Sequence, residues 1–164
     1  MKKKILVTGG SGRFATILKQ IKNNYKIFYP NKKILDIKNY KSIEKYLKLK
    51  KPNFVIHLAG LSRPMSIHDN KIIKSIDLNI IGTSNITKAC AKKKIKLIYF
   101  STHYVYPGKK GNYKEIDALY PVNNYAWSKL GGECAVQMYK NSLILRVCMT
   151  ENPFVHKGAL HDIK

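Results

Sequence analysis

The chain has 164 residues, of which 45% are hydrophobic and 10% aromatic, and its formal net charge at pH 7 is +22. This length and composition predict one folded domain with its own core and exclude a disordered chain. Apolar runs stay far below the ~20 residues of a membrane-spanning helix. The opening MKKKILVTGG is broken by glycine too early for a secretory signal. We therefore expect a cytoplasmic protein that does not bind membranes.

Short apolar runs alternate with amphipathic stretches along the chain. The apolar runs predict five strands, at 4–9, 25–30, 53–60, 95–102 and 142–149. The stretches with helical spacing predict four helices, at 14–24, 39–51, 70–92 and 125–140, and residues 103–124 are predicted to form a loop. Asn39 is a candidate N-cap, and the Gly131-Gly132 pair indicates that the last helix packs tightly against a neighbour.

This alternation predicts the fold class α/β. Strands separated by helices pair in parallel through right-handed crossovers, so we expect a Rossmann-type doubly wound sheet with helices on both faces. Sheets of this kind bind ligands beyond the carboxyl ends of their strands. Candidate functional residues are therefore those that follow the predicted strands.

Lysine dominates the positive charge, because only Arg13, Arg63 and Arg146 are arginines among 31 basic residues. Nucleic-acid readers favour arginine for bidentate contacts, and these lysines are spread along the whole chain. We expect no dedicated nucleic-acid binding and a general attraction for anionic ligands. Nucleic-acid binding driven by charge stays open as an alternative.

Three cysteines, Cys90, Cys134 and Cys148, have neither metal-ligand spacing nor an even-numbered disulfide framework. We interpret them as buried or half-buried free thiols of a reducing compartment, and we expect no metal site.

A glycine-rich turn, TGGSGRFA, lies between the first predicted strand and helix. Glycines here allow a sharp turn and a close approach to a pyrophosphate, whose charge would meet the helix N-terminus. The candidate cofactor-binding residues of this turn are Gly9, Gly10, Ser11, Gly12, Arg13 and Phe14. A tight strand-to-helix turn without any ligand is the alternative.

The end of the second strand indicates which dinucleotide would bind. An acid there suits the ribose of NAD, whereas a cation suits the 2′-phosphate of NADP. No acid stands at Pro30 or Asn31, and Lys32 and Lys33 follow. We therefore expect NADP(H) to be preferred, with NAD(H) as an alternative.

A hydroxyl, a phenol and an ammonium are predicted to converge after the fourth strand. Thr102 ends that strand, and Tyr125 and Lys129 lie on one face of the last helix, four residues apart. The hydroxyl and phenol could hold a carbonyl oxygen, the phenol could donate a proton, and the ammonium could lower the pKa of the phenol. Together with a dinucleotide, this set predicts carbonyl reduction.

The ordered motifs TGGSGRFA, HLAG, DLNIIGT, STHYVYPG and NNYAWSKLGGE resemble the extended short-chain dehydrogenase/reductase superfamily, and within it the dTDP-4-dehydrorhamnose reductases. The resemblance covers nearly the whole chain. It implies NADP(H)-dependent reduction of a 4-keto-6-deoxysugar linked to a nucleoside diphosphate, with a homodimer allowed for. It implies that residues 1–150 form an NAD(P)-binding domain and that 151–164 begin a truncated substrate-binding region.

The resemblance also implies roles for single residues. Thr102 would bind the substrate carbonyl, Tyr125 would be the catalytic acid, and Lys129 would hold the nicotinamide ribose. Further cofactor contacts are implied for Lys32, Asp36, Ile37, Leu58, Ala59, Gly60 and Asn79. Two of these assignments carry alternatives: Asp36 could simply begin a turn, and Asn79 could be an amide on a helix surface.

Some residues depart from the family pattern or have an ordinary structural reading. His103 stands where these reductases usually carry an aspartate, and Arg63 and His68 replace an acidic stretch. We expect Arg63 and His68 to be solvated loop residues, with a phosphate or substrate contact as the alternative. His57 is expected to be a strand residue and not a ligand, and Glu133 an ion-pair partner or cap.

Three functions remain after this comparison of residues. The first is the reductase described above, and the second is a nucleotide-sugar epimerase or dehydratase. The third is a dinucleotide-binding subunit without turnover, which the short chain favours and the intact Thr102, Tyr125 and Lys129 oppose.

Overall fold

Five parallel strands form one sheet in the computed structural model, which describes residues 2–148. The strands are β1 Lys4–Thr8, β2 Lys26–Phe28, β3 Phe54–His57, β4 Lys96–Thr102 and β5 Ser142–Val147, in the order β2-β1-β3-β4-β5. The direction of winding reverses between β1 and β3, which is the position where doubly wound sheets bind their ligands. The predicted fold class is confirmed.

Six α-helices and two other helical segments connect the strands. The α-helices are α1 Arg13–Leu18, α2 Tyr40–Lys50, α3 Ile67–Asn70, α4 Ile72–Ser75, α5 Gly82–Lys93 and α6 Asn124–Gln137. A π-helical segment, Ile76–Ile81, joins α4 to α5, and a 3-10 turn, His103–Val105, follows β4. Asparagine side chains cap two helices: Asn39 accepts from the Ser42 amide, and Asn123 from the Ala126 amide.

Helices cover both faces of the sheet. On one face α5 contacts α2 and α6, and the main core lies beneath these three helices. On the other face Phe14 of α1 packs against Phe100, with 5.0 Å between the ring centroids. The largest side chains of the core are Leu6, Ile43, Leu47, Ile86, Leu97, Tyr99 and Val136. Each such burial stabilises the fold by about 1.5–3 kcal/mol.

The structure differs from the predicted elements mainly in its helices. α1 ends at Leu18, and Asn23 further along forms a local turn, donating to the Ile21 carbonyl and accepting from the Tyr25 amide. The helix predicted over 70–92 is instead broken at Lys71, where φ is −136°, and interrupted by the π segment. Residue 149, the end of the strand predicted over 142–149, lies outside the described residues. The whole of 151–164 lies outside them too. Within residues 2–148, no helix is long and apolar enough to cross a membrane.

Candidate active site

The glycine-rich turn closes against the ends of β2 and β3. Gly9 has φ +70°, and a Cβ at this position would lie 2.9 Å from the Ala59 backbone. Gly10 donates to the Pro30 carbonyl at 3.2 Å, and its own carbonyl accepts from Lys19 Nζ at 2.8 Å. Close packing therefore requires Gly9 and Gly10 even without a ligand. Residues 11–13 are exposed and remain accessible.

A buried hydrogen-bond chain lies below this turn. Thr8 Oγ1 accepts from the amides of Leu58 and Ala59, at 3.2 and 3.1 Å, so its own hydrogen is donated to His57 Nδ1 at 2.7 Å. Nε2 of His57 then carries the proton and donates to Thr83 Oγ1 at 3.1 Å. Burial lowers the pKa of His57 to about 3, with the charge of Lys129 contributing. His57 is thus a neutral structural residue.

Thr102 and Tyr125 come together at the carboxyl end of β4. Thr102 is buried on the strand, and Tyr125 lies in the first turn of α6. Burial raises the pKa of Tyr125, whereas its hydrogen bond with Thr102 and the charge of Arg63 oppose this rise. The phenol is therefore protonated at neutral pH.

Lys129 lies one helical turn beyond Tyr125 and is only 8% exposed. Its Nζ stands 4.2 Å from the centroid of the Tyr99 ring. Burial lowers the pKa of Lys129 to about 7, and the Glu133 carboxylate opposes this shift. The expected lowering of the Tyr125 pKa by Lys129 is not what this structure shows: burial of the phenol dominates, and the cation that opposes it is Arg63.

His68 is buried against Tyr125, although the sequence predicted that His68 would be a solvated loop residue. It is 1% exposed, its ring centroid lies 5.1 Å from that of Tyr125, and its Nδ1 is 2.7 Å from Ser75 Oγ. Nε2 makes no hydrogen bond within residues 2–148. Burial lowers the pKa of His68, with the Asp69 charge opposing, so the ring is neutral. Helical spacing does not predict this contact, because the chain breaks at Lys71 between His68 and Ser75.

Asn79 is buried inside the π segment, which rules out the helix-surface interpretation. Its Oδ1 accepts from the Leu61 amide at 2.7 Å, and its Nδ2 donates to the Leu61 carbonyl and to Ser128 Oγ, both at 2.8 Å. Ser128 in turn donates to the Tyr125 carbonyl at 2.7 Å. Asn79 thus connects the loop after β3 to the turn that carries Tyr125.

Two of the predicted adenine contacts have other roles in the structure. Ile37 is a core residue, and its side chain occupies the space beside Gly82. Asp36 accepts from the Lys38 amide at 3.0 Å and so begins a turn. Lys32 and Lys33 are exposed.

Glu133 is confirmed as an ion-pair partner. It is buried and accepts from Arg146 Nη2 at 2.8 Å and from Nε at 3.1 and 3.2 Å. Nη1 of Arg146 donates to Tyr106 Oη at 2.8 Å and to the Glu115 carbonyl at 3.1 Å. This cluster holds the loop after β4 against β5 and α6.

The described residues contain no group of three or more His, Cys, Asp or Glu side chains that could bind a metal ion. Cys90 is buried, and burial raises the pKa of its thiol to about 12. Cys134 and Cys148 are exposed, unlike the buried or half-buried thiols expected from the sequence.

The fold and this site define a doubly wound α/β protein with a threonine, a tyrosine and a lysine at the carboxyl end of the sheet. The RmlD substrate binding domain model matches residues 2–150, and the chain belongs to that family. This finding confirms the resemblance to dTDP-4-dehydrorhamnose reductases.

Known relatives and solved structures agree with this assignment. The chain is 29% identical over 155 residues to methionine adenosyltransferase 2 subunit beta of Xenopus laevis, covering 88% of the chain and 46% of the relative. It is 26% identical over 152 residues to dTDP-4-dehydrorhamnose reductase of Aggregatibacter actinomycetemcomitans, covering 90% and 51%. The crystal structure of dTDP-4-dehydrorhamnose reductase from Bacillus anthracis in complex with NADP superimposes with TM-score 0.83 and 29% identity, covering 89% of this chain and 53% of that one. The chain thus spans about half the length of these proteins.

Proposed function

We propose that this protein carries out NADP(H)-dependent reduction of a 4-keto-6-deoxysugar linked to a nucleoside diphosphate. The observation that supports this most directly is the hydrogen-bonded contact of Thr102 and Tyr125, with Lys129 buried on the same helix. Family membership and the NADP complex of the Bacillus anthracis reductase support the choice of reaction and cofactor.

In this proposal each of the three side chains has a separate task. Thr102 and Tyr125 donate hydrogen bonds to the carbonyl oxygen of the sugar, and Tyr125 transfers its proton to that oxygen as the alcohol forms. The phenol is protonated at neutral pH, as the donation of its proton to that oxygen requires. Lys129 holds the ribose next to the nicotinamide. NADPH, when bound, supplies the hydride.

The residues after β1 fit a dinucleotide. Residues 11–13 are exposed where a pyrophosphate would lie, and they include the cation Arg13. Gly9 and Gly10 shape the turn, and Phe14 packs on Phe100. Beside this turn, Thr8 accepts from the amides of Leu58 and Ala59, and Asn79 accepts from the amide of Leu61. We propose residues 1–150 as the NAD(P)-binding domain on these grounds.

A dinucleotide-binding subunit without turnover is the second candidate. It is favoured by the similarity to methionine adenosyltransferase 2 subunit beta of Xenopus laevis. Such a subunit would bind NADPH without oxidising it in the presence of any keto-sugar.

The deciding experiment is NADPH consumption by the purified chain with a dTDP-4-keto-6-deoxysugar, comparing wild type with Tyr125→Phe. We expect turnover in the wild type and a loss of about 10²–10⁴-fold in the variant, since the proton donor is removed and the ring beside His68 is kept. NADPH binding, followed by its fluorescence, should be retained. Tyr120→Phe, on an exposed tyrosine, is the matched control and should keep full activity.

Retained turnover in Tyr125→Phe would remove Tyr125 from the mechanism. NADPH binding without turnover in the wild type would favour the subunit over the reductase.

A further inference from the structure

The short helix α3 contacts the first turn of α6 through two neighbouring residues. The ring of His68 is tilted by 54° to the ring of Tyr125, with 5.1 Å between the centroids, a separation typical of packed rings. Asp69, the next residue, accepts a hydrogen bond from Asn124 Nδ2 at 2.7 Å, and Asn124 begins α6. α3 is therefore docked on α6 directly beside Tyr125.

A break in the chain separates α3 from α4. Lys71, between them, has φ −136° and ψ 56°, which are not helical values. Ser75 at the end of α4 nevertheless bonds back to α3: its Oγ lies 2.7 Å from His68 Nδ1, and the two residues are 2% and 1% exposed. This buried bond fixes the rotation of the imidazole, so Ser75 holds the ring that contacts Tyr125.

The nitrogens of His68 are not placed for proton transfer. Nδ1 is bonded to Ser75, and Nε2 is enclosed without a hydrogen bond within residues 2–148. A general acid or base must reach the reacting group directly or through one water. What His68 offers to the site is therefore the packing of its ring on Tyr125.

The backbone and the ring of Tyr125 are held by different contacts. Ser128 Oγ donates to the Tyr125 carbonyl at 2.7 Å and accepts from Asn79 at 2.8 Å, which fixes the backbone at this turn. The ring is joined to that backbone by two rotatable bonds. Its orientation needs contacts of its own, and the hydrogen bond with Thr102 and the packing of His68 supply them.

We infer that His68 is a positioning residue for Tyr125: its ring, held by Ser75, keeps the phenol beside Thr102. This inference rests on the proposed function, in which Tyr125 donates the proton. A misplacement of about 1 Å lowers the rate of a catalysed step by as much as ~10²-fold. The effect falls on kcat, because His68 contacts the proposed proton donor and α3 is no part of the glycine-rich turn.

Two variants separate the ring of His68 from its hydrogen bond. The asparagine amide reaches the position of Nδ1, so His68→Asn keeps a partner for Ser75 and removes the ring. His68→Phe/Ser75→Ala keeps a ring and removes both polar groups. With NADPH and a dTDP-4-keto-6-deoxysugar, we expect kcat of His68→Asn to fall about 10–100-fold, while KM and NADPH affinity stay within about threefold. The double variant should keep kcat within about threefold, because the packing on Tyr125 is retained.

Three results would overturn the inference. An equal loss of kcat in both variants would mean that the imidazole itself takes part in the chemistry. Full kcat in His68→Asn would mean that Tyr125 needs no support from this ring. A loss of NADPH affinity together with kcat would mean that His68 only stabilises the fold. Ile43→Val, which removes one buried methyl group on α2, is the control for lost stability and should keep kcat.

The motion of the Tyr125 ring separates this inference from the proposed function. In protein with carbon-labelled tyrosine, the ring signals that are missing from Tyr125→Phe identify Tyr125 by NMR. We expect slow ring flipping in wild type and in His68→Phe/Ser75→Ala, and fast flipping in His68→Asn. Equal flipping in wild type and His68→Asn would overturn the inference, whether or not the protein oxidises NADPH.

A wild type without turnover, in which the ring flips as expected, would overturn the reductase and leave the positioning of Tyr125 intact. Thermal unfolding of each variant shows whether it is folded. His68→Leu, which fills the same space without a ring, would replace an unfolded His68→Asn, with the same expected loss of kcat and the same faster flipping.

Discussion

Lys129 is buried, and the positive charge of its ammonium form is only weakly compensated. Its Nζ faces the Tyr99 ring, and Glu133, the nearby carboxylate, is already bound by Arg146. The pKa of about 7 follows from this burial, so the ammonium and the amine coexist near neutrality. A lysine on an exposed helix face would remain an ammonium up to about pH 10.

This burial predicts a dependence of stability on pH that Lys129→Met would remove. Below about pH 7 the folded and unfolded chains both carry the ammonium. From about pH 7 to 10.5 the unfolded chain binds a proton that the folded chain has released, so the free energy of unfolding rises with pH. The rise should not exceed ~1.4 kcal/mol per pH unit. Urea unfolding of wild type and variant at pH 6, 8 and 9.5 measures it.

Lys45→Met, at an exposed position, is the control for this measurement and should show no such difference. If the free energy of unfolding changed with pH in the same way for wild type and Lys129→Met, the result would contradict the burial of the charged group.

At the level of residues, the sequence predicts the proximity of Thr102 and Tyr125 better than it predicts the residues around them. Thr102 and Tyr125 follow from strand order and helical spacing, because the carboxyl ends of parallel strands share one edge. Arg63 and His68 lie in an irregular crossover, where no period predicts which side chain turns inward. Ile37 is apolar and follows a turn, so the sequence cannot tell a core position from an adenine contact.

Among the elements, the π segment and α6 form the closest helix contact of the site. A Cβ at Gly132 would lie 2.7 Å from both the Asn79 carbonyl and Tyr99 Oη. A Cβ at Gly131 would instead meet Ile80 Cδ1 at 2.8 Å, which is the end of a flexible side chain. The two adjacent glycines therefore differ in whether the structure has room for a larger side chain.

We predict opposite behaviour for alanine at these two positions. Gly132→Ala should destabilise the fold by about 2 kcal/mol, because neither the backbone of the π segment nor the buried Tyr99 can move away. Gly131→Ala should change stability by less than about 1 kcal/mol, since the gain in helix propensity offsets a shift of Ile80. Chemical denaturation of both variants measures the difference. Equal destabilisation would show that Ile80 is as fixed as the backbone.

The elements themselves are predictable to different degrees. The strands follow from β-branched runs, and α2 and α6 from regular spacing with asparagine caps. The crossover from 67 to 93 has the same apolar spacing, yet it breaks at Lys71 and widens at Ile76–Ile81. Tertiary contacts decide this: the widened turn places Asn79 between Leu61 and Ser128, and spacing within one segment does not encode contacts with two others.

The whole molecule carries 31 basic residues against nine acidic ones. Nine carboxylates cannot neutralise this excess, so the lysines repel one another across the surface of the folded chain. Folding brings these like charges closer together, and their repulsion lowers the free energy of unfolding. The same field attracts anionic ligands.

Salt should therefore stabilise the protein. Raising NaCl from 0.05 to 0.5 M shortens the screening length to about 4 Å, and the melting temperature should rise by about 3–8 °C. Thermal unfolding across a NaCl series measures this, with sucrose of equal osmolality as the control for solute exclusion. A melting temperature independent of NaCl, or a rise matched by sucrose, would contradict the assignment to charge repulsion.

The hydrogen bonds of Asn79 leave this position almost no tolerance for replacement. Its two amide hydrogens go to the Leu61 carbonyl and to Ser128 Oγ, and its oxygen accepts the Leu61 amide. Aspartate would present an oxygen to the Leu61 carbonyl, glutamine would carry the same groups one carbon too far, and serine would reach neither partner. Random mutagenesis of position 79 should thus return asparagine alone.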